Sequence, residues 1–239
     1  MNKRSESDKQ KIEANLSAPY QIENFITEDE QAQLINFFKT SEEKIKKNTG
    51  PLTLGVSHEQ LKLPLFQGIL ERLKPILGEF EVFTCLFFYV EYPHIIHNDD
   101  SFELPLCYKG VNIPLEIDKP DDAPYPSLCF FDQYYLDGPA KFFNGSTAVP
   151  TYYNVQVYEY SGVKNKTSVP FDESIRLANF SHIKPMWLEG LSFNSKFENI
   201  PGNVIIFDTV RLHCASNFMD KGVKSKLGLS IFTKLVGVE

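Results

Sequence analysis

EVFTCLFFYVEY, residues 81–92, is a run of β-branched and aromatic side chains that reads as a buried strand. It marks a change of texture along the chain. Downstream come KGVNIPLEI (109–117), YPSLCFFDQYY (125–135), NVQVYEYSG (154–162), GNVIIFDTV (202–210) and KLGLSIFTKLV (226–236), short apolar runs separated by Pro, Gly, Asn or Asp. Helical periodicity is nearly absent after residue 80, apart from a short segment around 171–178. Upstream, two helices are predicted. Thr27 and Glu30 form a capping box, Ile26 is placed to staple onto the helix, and Leu34, Ile35, Phe37 and Phe38 recur at helical spacing, which predicts a helix over about 28–46. A second spans about 64–77, with Pro64 in its first turn and Gly78 just past its end. Two helices followed by many short strands predict an α+β fold whose body is a β-sandwich or barrel.

The 239 residues suit one domain, and a chain of this size buries roughly 70% of its extended surface. Residues 1–17 are polar and read as a frayed, flexible lead-in; residues 18–239 read as the domain, with an elaborated insertion at about 134–200. A formal net charge of -7 argues against nucleic acid or an anionic membrane as partner. The four cysteines (Cys85, Cys107, Cys129, Cys214) form no CxxC pair, so neither a zinc knuckle nor a disulfide framework is expected. The charged opening MNKRSESDKQKIEANLS has no apolar core of a signal peptide, and no run of about 18 apolar residues exists. A soluble, cytoplasmic protein in a reducing compartment is the expectation.

Candidate chemistry lies at the strand ends. In YVEYPHIIHNDD, His97 and Asp99 sit two apart on extended chain, so both side chains reach the same face and one metal. FDTVRLHCASNF places His213 just after a strand, and two imidazoles with one carboxylate on a β scaffold make a facial triad suited to non-heme iron. Thirteen residues on, the alternation of KLGLSIFTKL puts Lys226, Gly228 and Ser230 on one face and Leu227, Leu229 and Ile231 on the other. An inward cation on a buried strand calls for an anion; a strand that simply begins in solvent would need none.

That ordered set (strand, HxD, several strands, strand and His, then a strand led by a basic residue) resembles the 2-oxoglutarate/Fe(II)-dependent oxygenases. The opening NFITEDEQAQLINFF is similar to that of prolyl-4-hydroxylase-like members. The resemblance implies a double-stranded β-helix (jelly roll) with the N-terminal helices packed on its major sheet. It implies Fe(II) held by His97, Asp99 and His213, with O2 and 2-oxoglutarate as co-substrates. The far carboxylate of 2-oxoglutarate falls to Lys226, with Lys224 as rival because the spacing from His213 is slightly long. Gly228 stands two positions on, where Ser is frequent in the family.

Four further residues are candidates for the pocket. Tyr89 is placed near the co-substrate by the resemblance and otherwise reads as a core aromatic. Asn112 and Ser230 face inward on their strands as co-substrate contacts, Asn112 equally as a strand-edge amide. Arg211 suits an acidic substrate group or an ion pair with Asp208. Trp187, the only Trp, belongs to the aromatic-rich 134–200 span, read either as a substrate lid or as an outer sheet. His94 and His182 read as structural or surface residues. The implied function is hydroxylation of a C–H bond of a small molecule or protein side chain, releasing succinate and CO2. The alternatives are a cupin-type metalloenzyme and a non-catalytic jelly-roll binding module.

Overall fold

A computed structural model describes residues 4–46, 51–100, 107–140 and 162–236. In chain order the elements are α1 (Glu6–Glu13), β1 (Tyr20–Ile22), α2 (Glu28–Thr40), β2 (Ile45–Lys46), β3 (Leu52–Gly55), α3 (Pro64–Leu77), β4 (Phe80–Val90), β5 (Cys107–Asp118), β6 (Ser127–Tyr135), β7 (Val163–Lys164), α4 (Glu173–Asn179), β8 (Phe193–Glu198), β9 (Val204–Asp208), β10 (Arg211–Ala215) and β11 (Ser225–Leu235). The fold is α+β, as the sequence predicts. All strand pairings are antiparallel.

The two predicted helices form. α3 has the expected bounds, with Gly78 beyond its end at a φ of 77°, where a side chain would be strained. α2 carries the complete Thr27–Glu30 capping box but stops at Thr40, short of the predicted end. Ser41 turns extended there, and Ile45–Lys46 pairs with β3 instead. The lead-in is not wholly frayed: Ser5 caps α1, whose Ile12 is buried against Leu136 and Val210.

Seven strands form one sheet in the order β1-β9-β5-β11-β4-β3-β2; a four-stranded sheet holds β10, β6 and β7, with β8 also paired to β6. One core joins the large sheet to the helices. Leu34 and Phe38 of α2, and Phe66, Ile69 and Leu73 of α3, cluster with Phe87, Leu227, Leu229 and Ile231. Between the sheets a second cluster holds Leu128, Phe130, Ile205 and Phe207. A third covers the other face of the small sheet, with Cys129, Phe131, Phe180, Leu212 and Cys214. Strand alternation thus turns Leu227, Leu229 and Ile231 of β11 to the helix-side core. The expected strand at 154–162 lies almost wholly outside the described residues. No helix among the described residues is long and apolar enough to cross a membrane.

Candidate metal centre

Two crossings between the sheets build the site. After β4 the chain leaves the large sheet, and His97 reaches the small one, where it exchanges both backbone hydrogen bonds with His213 on β10: His97 N–H to His213 O at 2.9 Å and His213 N–H to His97 O at 2.8 Å. The other crossing is the turn between β9 and β10, where Thr209 accepts a 2.8 Å hydrogen bond from the Asp99 N–H. The extended geometry of residues 97–99 keeps His97 and Asp99 on one side.

The side chains converge accordingly. His213 Nε2 lies 3.3 Å from one Asp99 carboxylate oxygen and His97 Nε2 lies 3.6 Å from the other. One ligand atom from each residue falls within 4.8 Å of the rest, and the two imidazole centroids are 4.4 Å apart. Two donors each about 2.1 Å from one ion lie at most about 4.2 Å apart, so both His–Asp spacings suit a shared metal.

The tautomers suit it as well. His97 Nδ1 lies 2.7 Å from the Ile95 carbonyl and His213 Nδ1 lies 3.0 Å from the Arg211 carbonyl. A carbonyl only accepts, so each Nδ1 carries a proton, which leaves each Nε2, on the side facing Asp99, as the nitrogen that a metal would take once its own proton is gone. Burial alone raises the Asp99 carboxyl pKa, but His213, by charge and hydrogen bond, and then His97 and His94 outweigh it, and the net shift is downward. Two imidazoles and one ionised carboxylate are the donor set of a non-heme Fe(II) facial site. The rings of Phe207 and Phe130, 4.8 and 5.7 Å from His213, wall it on the interior side.

Lys226 fulfils the inward expectation. It is 5% exposed, and its Nζ lies 5.9 Å from the ring centres of both Phe88 and Phe218. No carboxylate among the described residues pairs with it. Burial drives its ammonium pKa down to about 8, against smaller upward effects of the Cys129 and Cys214 thiols. Ser230, two rungs along the same face, opposes Asn112, and both are buried. The Asn112 side-chain oxygen has no hydrogen-bond partner. Gly228, between Lys226 and Ser230, leaves space for the Phe88 ring: a Cβ there would sit 2.7 Å from it. A buried cation without a carboxylate partner among the described residues suits an anionic group, and the Asn112 oxygen beside it is an acceptor awaiting a donor.

The other candidates distribute differently. Tyr89 opposes Leu227 and packs on the helix-side core, so it lies across the sheet from Lys226; Phe88 is the β4 aromatic that shares the Lys226 face. Of the two readings of Tyr89, this packing is that of the core aromatic. Arg211 donates to the carbonyls of Phe131 (3.2 Å) and Ser17 (3.0 Å) and stands 3.8 Å from Asp208, which favours its ion-pair reading over substrate binding. Trp187 packs with the cluster on the outer face of the small sheet, away from the His213 side, so its expected substrate contact is not what this position offers. The described part of the 134–200 span is sheet and core, with β8 paired along β6; residues 141–161 lie outside the described residues. His182 is largely buried, and desolvation lowers its pKa to about 4. His94 lies closer to the site than expected, edge-on to His97 at 5.7 Å.

The sequence reading missed Asn98 and Asp100. Asn98 donates to the Tyr135 and Gly138 carbonyls, and Arg4 holds Asp100. The only signal was their position beside Asp99.

No protein-family model matches the chain, and no curated protein matches it by sequence. Solved structures do match its fold. A prolyl-4-hydroxylase from Pseudomonas putida superposes with a TM-score of 0.50 at 12% identity, over 92% of this chain and 93% of that one. SnoN, a non-heme alpha-ketoglutarate-dependent epimerase from nogalamycin biosynthesis, also gives 0.50 at 12% identity, over 96% and 84%. HygX from Streptomyces hygroscopicus, solved with nickel and 2-oxoglutarate bound, gives 0.50 at 9% identity, over 98% and 88%. The fold is that of the 2-oxoglutarate/Fe(II)-dependent oxygenases. The His-Asp-His cluster lies within it.

Proposed function

We propose that the protein is an Fe(II)- and 2-oxoglutarate-dependent dioxygenase built on a double-stranded β-helix, and that it hydroxylates a C–H bond of a small molecule or protein side chain. The observation that carries this reading is the pairing of two features: a His97–Asp99–His213 cluster whose Nδ1 atoms face backbone carbonyls, and a buried Lys226 that no carboxylate among the described residues neutralises. His97, Asp99 and His213 would hold Fe(II). Lys226, with Asn112 and Ser230 beside it, would bind the far carboxylate of 2-oxoglutarate. Iron held there would supply oxygen activation, with 2-oxoglutarate oxidised to succinate and CO2, one oxygen atom of O2 going to the substrate and the other to succinate. The chain's own task is to fix three ligands on one side of the metal, neutralise the co-substrate and exclude water with Phe130 and Phe207.

Two measurements test the proposal. Anaerobic titration with Fe(II) or Mn(II) is expected to show one site per chain, and aerobic incubation with Fe(II) and 2-oxoglutarate slow succinate release without substrate. Metal binding without 2-oxoglutarate turnover would support a cupin-type or binding role instead, and no metal binding would overturn the reading. Because SnoN is an epimerase with a similar fold, oxygen-18 incorporation from O2 into product separates hydroxylation from epimerisation once a substrate is in hand.

A further inference from the structure

We infer that Arg4 is a positioning residue for the metal centre, and that residues 4–17 form a strap that locks the Asp99 peptide in place. This rests on the metal-binding reading of His97, Asp99 and His213.

The Asp99 N–H to Thr209 carbonyl bond ties the two sheet crossings together. The strap grips both sides of that bond. On one side, Arg4 forks onto Asp100, Nη1 to Oδ2 at 2.7 Å and Nη2 to Oδ1 at 3.2 Å, while Nη1 also donates to the Leu136 carbonyl at 2.8 Å. This pair is shielded: the side chains are 7% and 0% exposed. On the other side, the Ser17 N–H donates to Asp208 at 2.8 Å. Lys109 bonds both Asp208 and the Ser17 hydroxyl, and Arg211 donates to the Ser17 carbonyl. Asp100 follows Asp99, and Asp208 precedes Thr209. The strap therefore holds one neighbour of each partner in the bond that sets the Asp99 backbone.

Between these ends the strap is fastened rather than draped. Ile12 packs with Leu136 and Val210, and Lys9 pairs with Asp137 at 2.8 Å. Asn98, the other neighbour of Asp99, is bonded to the 135–140 segment at Tyr135, Gly138 and Ala140. Arg4 reaches the same segment through Leu136. Both flanks of Asp99 are thus anchored, one through Asn98 and one through a planar guanidinium whose two-pronged geometry fixes direction as well as distance. A ligand carboxylate aimed by such outer contacts gains affinity from its reduced freedom.

The test is metal affinity in the intact chain, measured by Mn(II) electron paramagnetic resonance at a temperature where circular dichroism shows every variant folded. Arg4→Ala and Asp100→Asn are each expected to weaken Mn(II) binding about ten- to a hundredfold. The double variant should be no weaker than either single one, because the two act as a pair. Arg4→Lys, which keeps charge but not the fork, should recover part of the loss. Ile69→Val, in the distant helix core, should lower the melting temperature yet leave Mn(II) affinity unchanged. Wild-type affinity in Arg4→Ala, or an equal loss in Ile69→Val, would overturn the positioning role while leaving the metal site standing. A wild-type chain that binds no Mn(II) would overturn the metal reading and this inference with it.

Discussion

Asp99 and His213 stand 114 positions apart in sequence, yet His213 Nε2 reaches within 3.3 Å of the Asp99 carboxylate. The His213 proton is committed to the Arg211 carbonyl on the other side of the ring. The same holds for His97 and Ile95. With both Nε2 atoms deprotonated, three donor groups face a common point, an arrangement that a divalent cation would bridge.

Metal binding should for that reason stabilise the fold. At a hundredfold excess over Kd the gain is about 2.7 kcal/mol, or roughly 5–10 °C in Tm for a domain of this size. Differential scanning fluorimetry with Mn(II) and with chelator measures it. His213→Ala should abolish the shift; an undiminished shift would place the metal elsewhere.

Lys226 makes the second prediction, and it concerns pH. Its folded pKa of about 8 lies below the ordinary 10.5. Between those values the folded chain has given up a proton that the unfolded chain keeps, so ligand-free stability gains a contribution as pH rises across this window. Urea unfolding should show the Lys226→Met variant's advantage over wild type shrinking from pH 7.5 to 9.5. Affinity for 2-oxoglutarate should run the opposite way, falling above about pH 8 as the ammonium is lost, and Lys226→Arg should remove that fall. Lys226→Ala should raise the 2-oxoglutarate requirement about ten- to a hundredfold, the worth of a charge-assisted hydrogen bond. If Lys224→Ala has that effect instead, the anchor is misassigned.

A third prediction separates the two faces of the large sheet. Asn112→Ala removes the amide whose NH2 group would donate to the co-substrate carboxylate, and should weaken 2-oxoglutarate binding about fivefold or more, the loss of one hydrogen bond. Tyr89→Phe, on the helix side, should change it less than twofold. Isothermal titration calorimetry of the two variants decides it, and the reverse ranking would refute the strand parity argued above.

The buried pair of Lys109 and Asp208 provides the fourth. Both side chains are nearly inaccessible, and Ser17 and Arg211 gather on Asp208 as well. Lys109→Met strands the Asp208 carboxylate and should cost about 3–5 kcal/mol in urea unfolding. Adding Asp208→Asn should return part of that loss; no recovery would mean that packing, not charge, sets the penalty.

Much of this was legible in the sequence because alternation and capping are local rules. The inward face of Lys226, Gly228 and Ser230 followed from parity alone, and the HxD pair gained its weight from its order with His213 and Lys226 along the chain. For Tyr89 the same rule separates the two readings: proximity to His97 in sequence says nothing of the face, and a neighbour in a strand points the other way. Arg4 was illegible. It sits in a charged lead-in whose composition resembles solvent-exposed chain, and its partner Asp100 lies in a stretch already read for Asp99. Long-range ion pairs leave no periodic trace. Nor did β8 and β10 stand out, since β8 alternates half-exposed residues and β10 holds only five.

The reciprocal backbone bonds between His97 and His213 have a consequence for how this protein tolerates insertions and deletions. Because the two imidazoles occupy opposed rungs of a ladder, their spacing is written in register, and removing a single residue from Arg211–His213 would turn the histidine outward while leaving the strand able to pair. Such a change would take His213 out of the His-Asp-His cluster in one step. Among point substitutions on the strand only those at His213 itself would remove a ligand, so length matters there as well as identity.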